Sequence, residues 1–269
     1  MAVFLRDLPQ LFAAGEGRLV KEGRNVIREF DVPMGDVPAV GTAGRPAEGT
    51  AGKLAEGTVG KPAEGTAIMT VVVKEFGVPN IVNRLIYGRL RKSKAQRSYE
   101  YAQWLLAHGI GSPVPLAWAT DRCGLLLGRS YYVSLRSACT HTFADLIREE
   151  GVSQSVEVAS SASADSLCSA AEERQSLSPA DEAKILGSIA KTTARLHSLG
   201  AIHRDYSRGN ILWELQPDGT ILVELVDLNR LRFPGSISVA EGLANLRERL
   251  PMTPDQWQVM ETAYREARN

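Results

Sequence analysis

Between Ala201 and Leu215 the chain reads AIHRDYSRGNILWEL. Asp205 and Asn210 stand five residues apart, behind a His-Arg pair and ahead of an apolar run. A further acid, Asp227, closes the apolar stretch ILVELVDL, and a lysine, Lys74, closes VVVK. Asp and Asn near Gly often do no more than make turns and cap them. Turn chemistry does not call for a third oxygen-bearing side chain one hairpin further along, nor for so much basic charge on the same connector. Phosphoryl transfer does. It leaves a protein little covalent work and asks for positioning and charge stabilisation. Its magnesium ion takes hard oxygen ligands.

These residues need rigid elements behind them. GEGRLVKEGRNVIREFDV reads as two short strands joined by a tight turn at Glu22-Gly23, and AIMTVVVKEF as a β-branched strand. In RSYEYAQWLLAHG, Tyr99, Ala102, Leu105 and Leu106 recur at helical spacing, and Gly109 is placed to stop the helix. SPVPLAW reads as a proline-rich turn into a strand. GLLLGRSYYVSL reads as two strands around Gly128-Arg129, and THTFADLIREEG as a short helix capped by Thr142. SPADEAKILGSIAKTTARLHSLG carries a full set of helix signals. Ser178 caps it, Pro179 opens it, Asp181 and Glu182 fill the first turn and Gly200 ends it. A hairpin around QPDGT, the strand ILVELVDL and a short helical tail complete the chain. The order predicts an α+β protein with a small β-rich lobe over 1–134 and a mainly helical lobe over 135–269, with a ligand cleft expected between them.

Two low-complexity insertions interrupt this order. One, within 41–66, is a period-eight repeat (GTAGRPAE, GTAGKLAE, GTVGKPAE). It has almost nothing to bury and is expected to be a linker in a surface loop. The other, about 152–178, is rich in Ser, Ala and Glu.

HRDYSRGNIL followed by VELVDLNR resembles the catalytic and metal-binding loops of the protein-kinase-like superfamily. SYYVS, RDYSRGNIL and VDLNRLRF resemble most closely the lipopolysaccharide core kinase family, which phosphorylates Kdo or heptose sugars. The resemblance implies a truncated protein-kinase-like fold and an ATP- and Mg²⁺-dependent transfer of the γ-phosphoryl group to a hydroxyl. It implies Asp205 as the base that accepts the acceptor's proton, with Asn210 and Asp227 as metal ligands. Lys74 would hold the α- and β-phosphates and pair with an acid on the next helix. Glu100 is the chosen partner, because strand alternation points Glu75 to the other face. His203 is expected to brace the loop rather than act as a base. The phosphate-covering loop is assigned to the turn KEGRN, with Lys21 and Gly23, in preference to the GEG of residues 15–17. Residues 131–135 would connect the lobes, with Val133 and Ser134 facing adenine.

Departures from the protein-kinase pattern narrow the acceptor. The position two after Asp205 is Ser207, not Lys, so Arg208 and Arg230 are the candidates for neutralising transition-state charge. About forty residues follow Asp227, with no APE-like segment and little room for a peptide-docking subdomain. A sugar hydroxyl of a lipopolysaccharide core or related envelope glycolipid therefore suits the chain better than a peptide. The alternatives are a compact atypical Ser/Thr protein kinase and a non-catalytic nucleotide-binding pseudokinase.

Composition fits this reading. Lys plus Arg equals Asp plus Glu at 31 each, which does not favour a nucleic-acid binder. Three scattered cysteines, Cys123, Cys139 and Cys168, make neither a metal site nor a disulfide framework and suit a reducing cytosol. No run approaches the ~18 apolar residues of a spanning helix. The expected location is the cytoplasm. Peripheral contact with the inner membrane would run through the basic, partly amphipathic segment 84–97 (Arg84, Arg89, Arg91, Lys92, Lys94, Arg97).

Overall fold

The computed structural model describes residues 1–33, 68–78, 92–123, 126–147 and 177–269. The period-eight repeat, the polar insertion up to residue 176, and Arg84, Arg89 and Arg91 lie outside the described residues. The chain divides into two compact units. The first is Met1–Thr140 with His203–Asp205 and Glu224–Arg232; the second is His141–Ile202, Tyr206–Val223 and Phe233–Asn269.

The first unit is built on a five-stranded antiparallel sheet of order β1-β2-β3-β5-β4. Its strands are β1 (Arg18–Lys21), β2 (Asn25–Pro33), β3 (Ile68–Phe76), β4 (Pro115–Cys123) and β5 (Leu126–Leu135). One face is covered by α1 (Ala2–Ala13), whose Leu5, Leu8 and Phe12 bury against Val32, Val71, Val73, Tyr131 and Val133. Sequence reading missed this helix. Arg6, Asp7 and Pro9 break the apolar run, yet Leu5, Leu8 and Phe12 recur at one-turn spacing and face the sheet. Pro9 forfeits one backbone bond inside the helix, and burial of those three side chains, each worth about 1.5–3 kcal/mol, outweighs it.

The next described helix is α2 (Lys94–Ala107). Ser93 caps it by accepting from the Gln96 N–H, and Gly109 ends it at φ 70°. Its buried positions are Ala95, Ser98, Ala102 and Leu105, while Leu106 is exposed. α2 packs on β4, β5 and the turn Leu228–Arg230. The stretch read as two strands around Gly128 is one continuous strand, β5, with Gly128 inside it. A Cβ at Gly128 would come within 2.7 Å of the Asp121 carbonyl oxygen, where the β4–β5 ladder shifts register. Glycine is there for a close backbone approach at a bulge, not for a turn.

The second unit centres on α3 (Pro179–Ser198), capped by Ser178 accepting from the Asp181 N–H and burying Ile185, Leu186, Ile189, Ala190, Ala194 and Leu196. Beside it stands a three-stranded sheet of order β6-β7-β8, from β6 (His141–Thr142), β7 (Ile211–Leu215) and β8 (Ile221–Leu225). Phe143–Leu146 forms a single 3₁₀ turn. The tail is two helices rather than one short one: α4 (Val239–Arg249), capped by Ser238, and α5 (Pro254–Glu266), capped by Thr253. α5 packs on α3 through a buried His197–Tyr264 contact, with Nδ1 and the hydroxyl 2.8 Å apart. No helix among the described residues is long and apolar enough to cross a membrane.

Candidate active site

Antiparallel register puts Lys21, Ile27, Lys74 and Tyr132 in one row across β1, β2, β3 and β5. Residues directly opposed in such strands share a face. Lys21 and Lys74 therefore emerge on the side away from α1, while Val71, Val73 and Glu75 take the α1 side. Glu75 pairs there with Arg129, 3.5 Å away.

The Lys74 ammonium lies 2.8 Å from Asp227 Oδ1, and the two side chains are 13% and 22% exposed. Burial pushes the Lys74 pKa down. Asp227 and, more weakly, Asp205 oppose that fall, and Lys21 adds to it. Burial alone would raise Asp227. The Lys74 ammonium, His203 and the Asn229 amide outweigh it and hold the carboxyl below its ordinary range. Asp227 sits at φ 58°, ψ 44°, the one non-glycine residue with positive φ among those described. Asp tolerates that conformation better than most side chains, at a cost of order 1 kcal/mol or more.

His203 joins the two chemical segments. Its Nε2–H donates to the Val226 carbonyl at 3.1 Å, and its Nδ1 accepts from the Asp205 N–H at 3.1 Å. Both ring nitrogens are engaged, and burial pushes the pKa down. A neutral Nε2–H imidazole thus braces the loop from Asp205 to the residue before Asp227. Arg230 Nη1 lies 3.6 Å from Asp205 Oδ2. The loop backbone is tied again by the Arg204 N–H donating to the Arg230 carbonyl at 3.4 Å. Beyond Asp205 the loop enters the second unit. There the Tyr206 hydroxyl meets Thr193 Oγ1 on α3 at 2.5 Å, fully buried, while Thr193 donates to the Ile189 carbonyl.

Of the residues singled out from sequence, Lys21, Lys74, Asp205, Asp227 and Arg230 fall in the first unit around this cluster. Gly23 lies in the turn between β1 and β2, where a Cβ would meet nothing within 4 Å. The rival GEG links α1 to β1, and Arg28 Nη1 binds the carbonyls of Gly15, Glu16 and Gly17. Arg208 and Asn210 belong to the second unit. Arg208 is exposed, and the Asn210 N–H closes a turn onto the Ser207 carbonyl at 2.9 Å.

Two expectations are corrected. Glu100 does not partner Lys74: its carboxylate is taken by Lys92 at 2.7 Å and by Gln96 at 3.1 Å, both near the start of α2. Gln96 is one helical turn from Glu100 and Lys92 just precedes the helix, so both are local partners, and Lys74 already has Asp227. Residues 131–135 are not a connector. They are the end of β5, and Val133 and Ser134 are paired with β3 on one side and β4 on the other. Even the next amides are spent, Leu135 on the Val114 carbonyl and Arg136 on the Thr70 carbonyl. A free backbone edge can begin only after Arg136.

Sequence reading overlooked Asn229. Its amide nitrogen donates to Asp227 Oδ1, and the residue is 9% exposed. The signal was the spacing: an amide two residues after an acid at a strand end, where Asx-type local bonding is common.

The donor set fits a magnesium ion. Asp227 offers an ionised hard oxygen, and no three His, Cys, Asp or Glu side chains gather into a metal cage among the described residues. Magnesium characteristically uses one or two carboxylates and leaves the remaining positions to phosphate and water oxygens.

A sheet that aims a strand lysine at a strand-end aspartate, with a His-Arg-Asp loop braced beside them, defines a protein-kinase-like fold. A solved structure described as "WaaP in complex with acyl carrier protein" shares that fold. It aligns over 96% of this chain and 81% of its own, with a TM-score of 0.50 and 11% identity. Residues 157–264 match the model of the "Lipopolysaccharide kinase (Kdo/WaaP) family". That stretch takes in Asp205, Asn210 and Asp227. No curated protein matches the chain in sequence.

Proposed function

We propose that this protein transfers the γ-phosphoryl group of ATP to a sugar hydroxyl of a lipopolysaccharide core or related envelope glycolipid, with Mg²⁺ as cofactor. The observation that carries the reading is the half-buried Lys74–Asp227 pair with Asp205 held beside it through His203. Lys74, with Lys21 in the same row, supplies cations for the phosphates. Asp227 and Asn210 would hold the metal, which when bound offsets charge on the transferring phosphoryl group. Asp205 accepts a hydrogen bond from the acceptor hydroxyl and takes its proton as the new P–O bond forms. Arg230, within reach of Asp205 Oδ2, and Arg208 supply positive charge for the transition state in place of the lysine that Ser207 replaces. Peripheral contact with an anionic membrane through 84–97 would bring the enzyme to a glycolipid acceptor.

The test is to incubate the protein with γ-labelled ATP and Mg²⁺ against core-sugar glycolipids and a generic protein substrate. Label is expected on the glycolipid and absent from the protein. Label on the protein alone would replace the acceptor class. Nucleotide binding without any transfer would make the chain a pseudokinase.

A further inference from the structure

Asn229 has no part in the reading above, yet it is nearly buried and touches the carboxylate that matters most. Its Nδ2 donates to Asp227 Oδ1, the same oxygen that the Lys74 ammonium approaches at 2.8 Å. The two donors come from different places, Asn229 from the turn Leu228–Arg230 and Lys74 from β3. Asp227 retains 22% exposure. Asp227 lies two residues past the end of the strand Ile221–Leu225, with its backbone in the left-handed region. Both restraints converge on Oδ1.

We propose that Asn229 is a positioning residue. Together with Lys74 it pins Asp227 Oδ1, so that Oδ2 is the oxygen presented to a divalent cation. The inference rests on the reading of Asp227 as a metal ligand. Its physical content is preorganisation: a monodentate ligand held in one rotamer pays less ordering entropy when the cation arrives. With the amide removed, Lys74 alone restrains the carboxylate, which can then rotate or swing toward the ammonium. Cation binding then has to restore the rotamer. Metal-free nucleotide binding, which depends on Lys74 and Lys21, has no need of Asn229.

The experiment measures the affinity of a fluorescent ATP analogue by equilibrium titration, in EDTA and over a range of Mg²⁺ concentrations, for the wild type, Asn229→Ala and Asn229→Ser. In the wild type Mg²⁺ is expected to tighten nucleotide binding. In Asn229→Ala that gain should shrink about tenfold, with affinity in EDTA unchanged within about twofold. Asn229→Ser, which keeps a donor, should recover part of the gain. Affinity in EDTA also reports folding. Should the Ala variant fail to bind at all, the Ser variant and the wild type still decide, since a polar donor at 229 must outperform no donor in Mg²⁺ but not in EDTA. Equal Mg²⁺ gains in all three proteins would overturn the role of Asn229. A wild type that binds nucleotide with no Mg²⁺ dependence would overturn the reading of Asp227 instead.

Discussion

The two faces of the five-stranded sheet are made by the same strands and have opposite jobs. Along β3, Val71 and Val73 turn toward α1 and are sealed in the core, while Lys74 turns the other way to meet Asp227. The residue spacing is one, and the outcome is a hydrocarbon contact or a charged one. A strand's period of two separates stability from chemistry. The α1 face can be close-packed without compromise, and the Lys74 face can carry desolvated charge that contributes little to folding.

That contrast can be broken from either side. The largest expected effect is on the charged side: Asp205→Ala should lower phosphotransfer by at least about 10³-fold while nucleotide binding and melting temperature stay close to wild type. Undiminished turnover would remove Asp205 from the chemistry. Lys74→Ala comes next, with a loss of about 10²-fold in kcat/KM, read alongside nucleotide affinity in EDTA, which should also fall. The opposite face gives the converse pattern. Leu8 is fully buried under the sheet, so Leu8→Ala should cost about 2–5 kcal/mol in urea unfolding, with turnover per folded molecule unchanged. A loss of turnover as large as that of Lys74→Ala would mean that the two faces are not independent.

A smaller effect belongs to the second unit. Burial, with help from the Arg268 cation, holds His197 down to about 4 against an ordinary value of 6.5. The unfolded chain therefore takes up this proton first as the pH falls. Stability is complete above 6.5 and declines between 6.5 and 4, by at most about 3 kcal/mol. Urea unfolding at a series of pH values should show that slope, and His197→Gln should flatten it. Identical slopes for the two proteins would mean that His197 titrates freely. The smallest effect is predicted for Glu100→Ala. Its partner Lys92 is 58% exposed, and such a pair is worth about 0–1 kcal/mol, so activity should stay within about threefold of wild type. A loss matching Lys74→Ala would restore Glu100 to the phosphate site.

Much of this arrangement was legible in the sequence where local chemistry decides structure. Ser178, Pro179 and Gly200 bounded α3, and the Glu22-Gly23 turn separated β1 from β2, because caps and turns are read within a few residues. The alternation around Lys74 also foretold which way it and Glu75 point. What stayed hidden depends on competition between distant partners. Glu100 is taken by Lys92, which the sequence reading assigns to the basic segment 84–97, and Lys74 pairs with Asp227. Pro9 suggested a broken segment, and only the hydrophobic face of the sheet makes α1 worthwhile. Gly128 resembles a turn residue until the approach of the Asp121 carbonyl is seen. The β5 boundary was misjudged for a related reason, since backbone pairing on both edges leaves no compositional trace.

The left-handed backbone at Asp227 has a practical consequence for anyone probing this centre. Alanine there would change two things at once, erasing a charge and placing an ill-suited residue at φ 58°. Asparagine, the other side chain at ease in that region, alters the charge and leaves the shape alone, so Asp227→Asn is the cleaner instrument. Where the two substitutions disagree, the excess damage from alanine measures how much the turn itself matters.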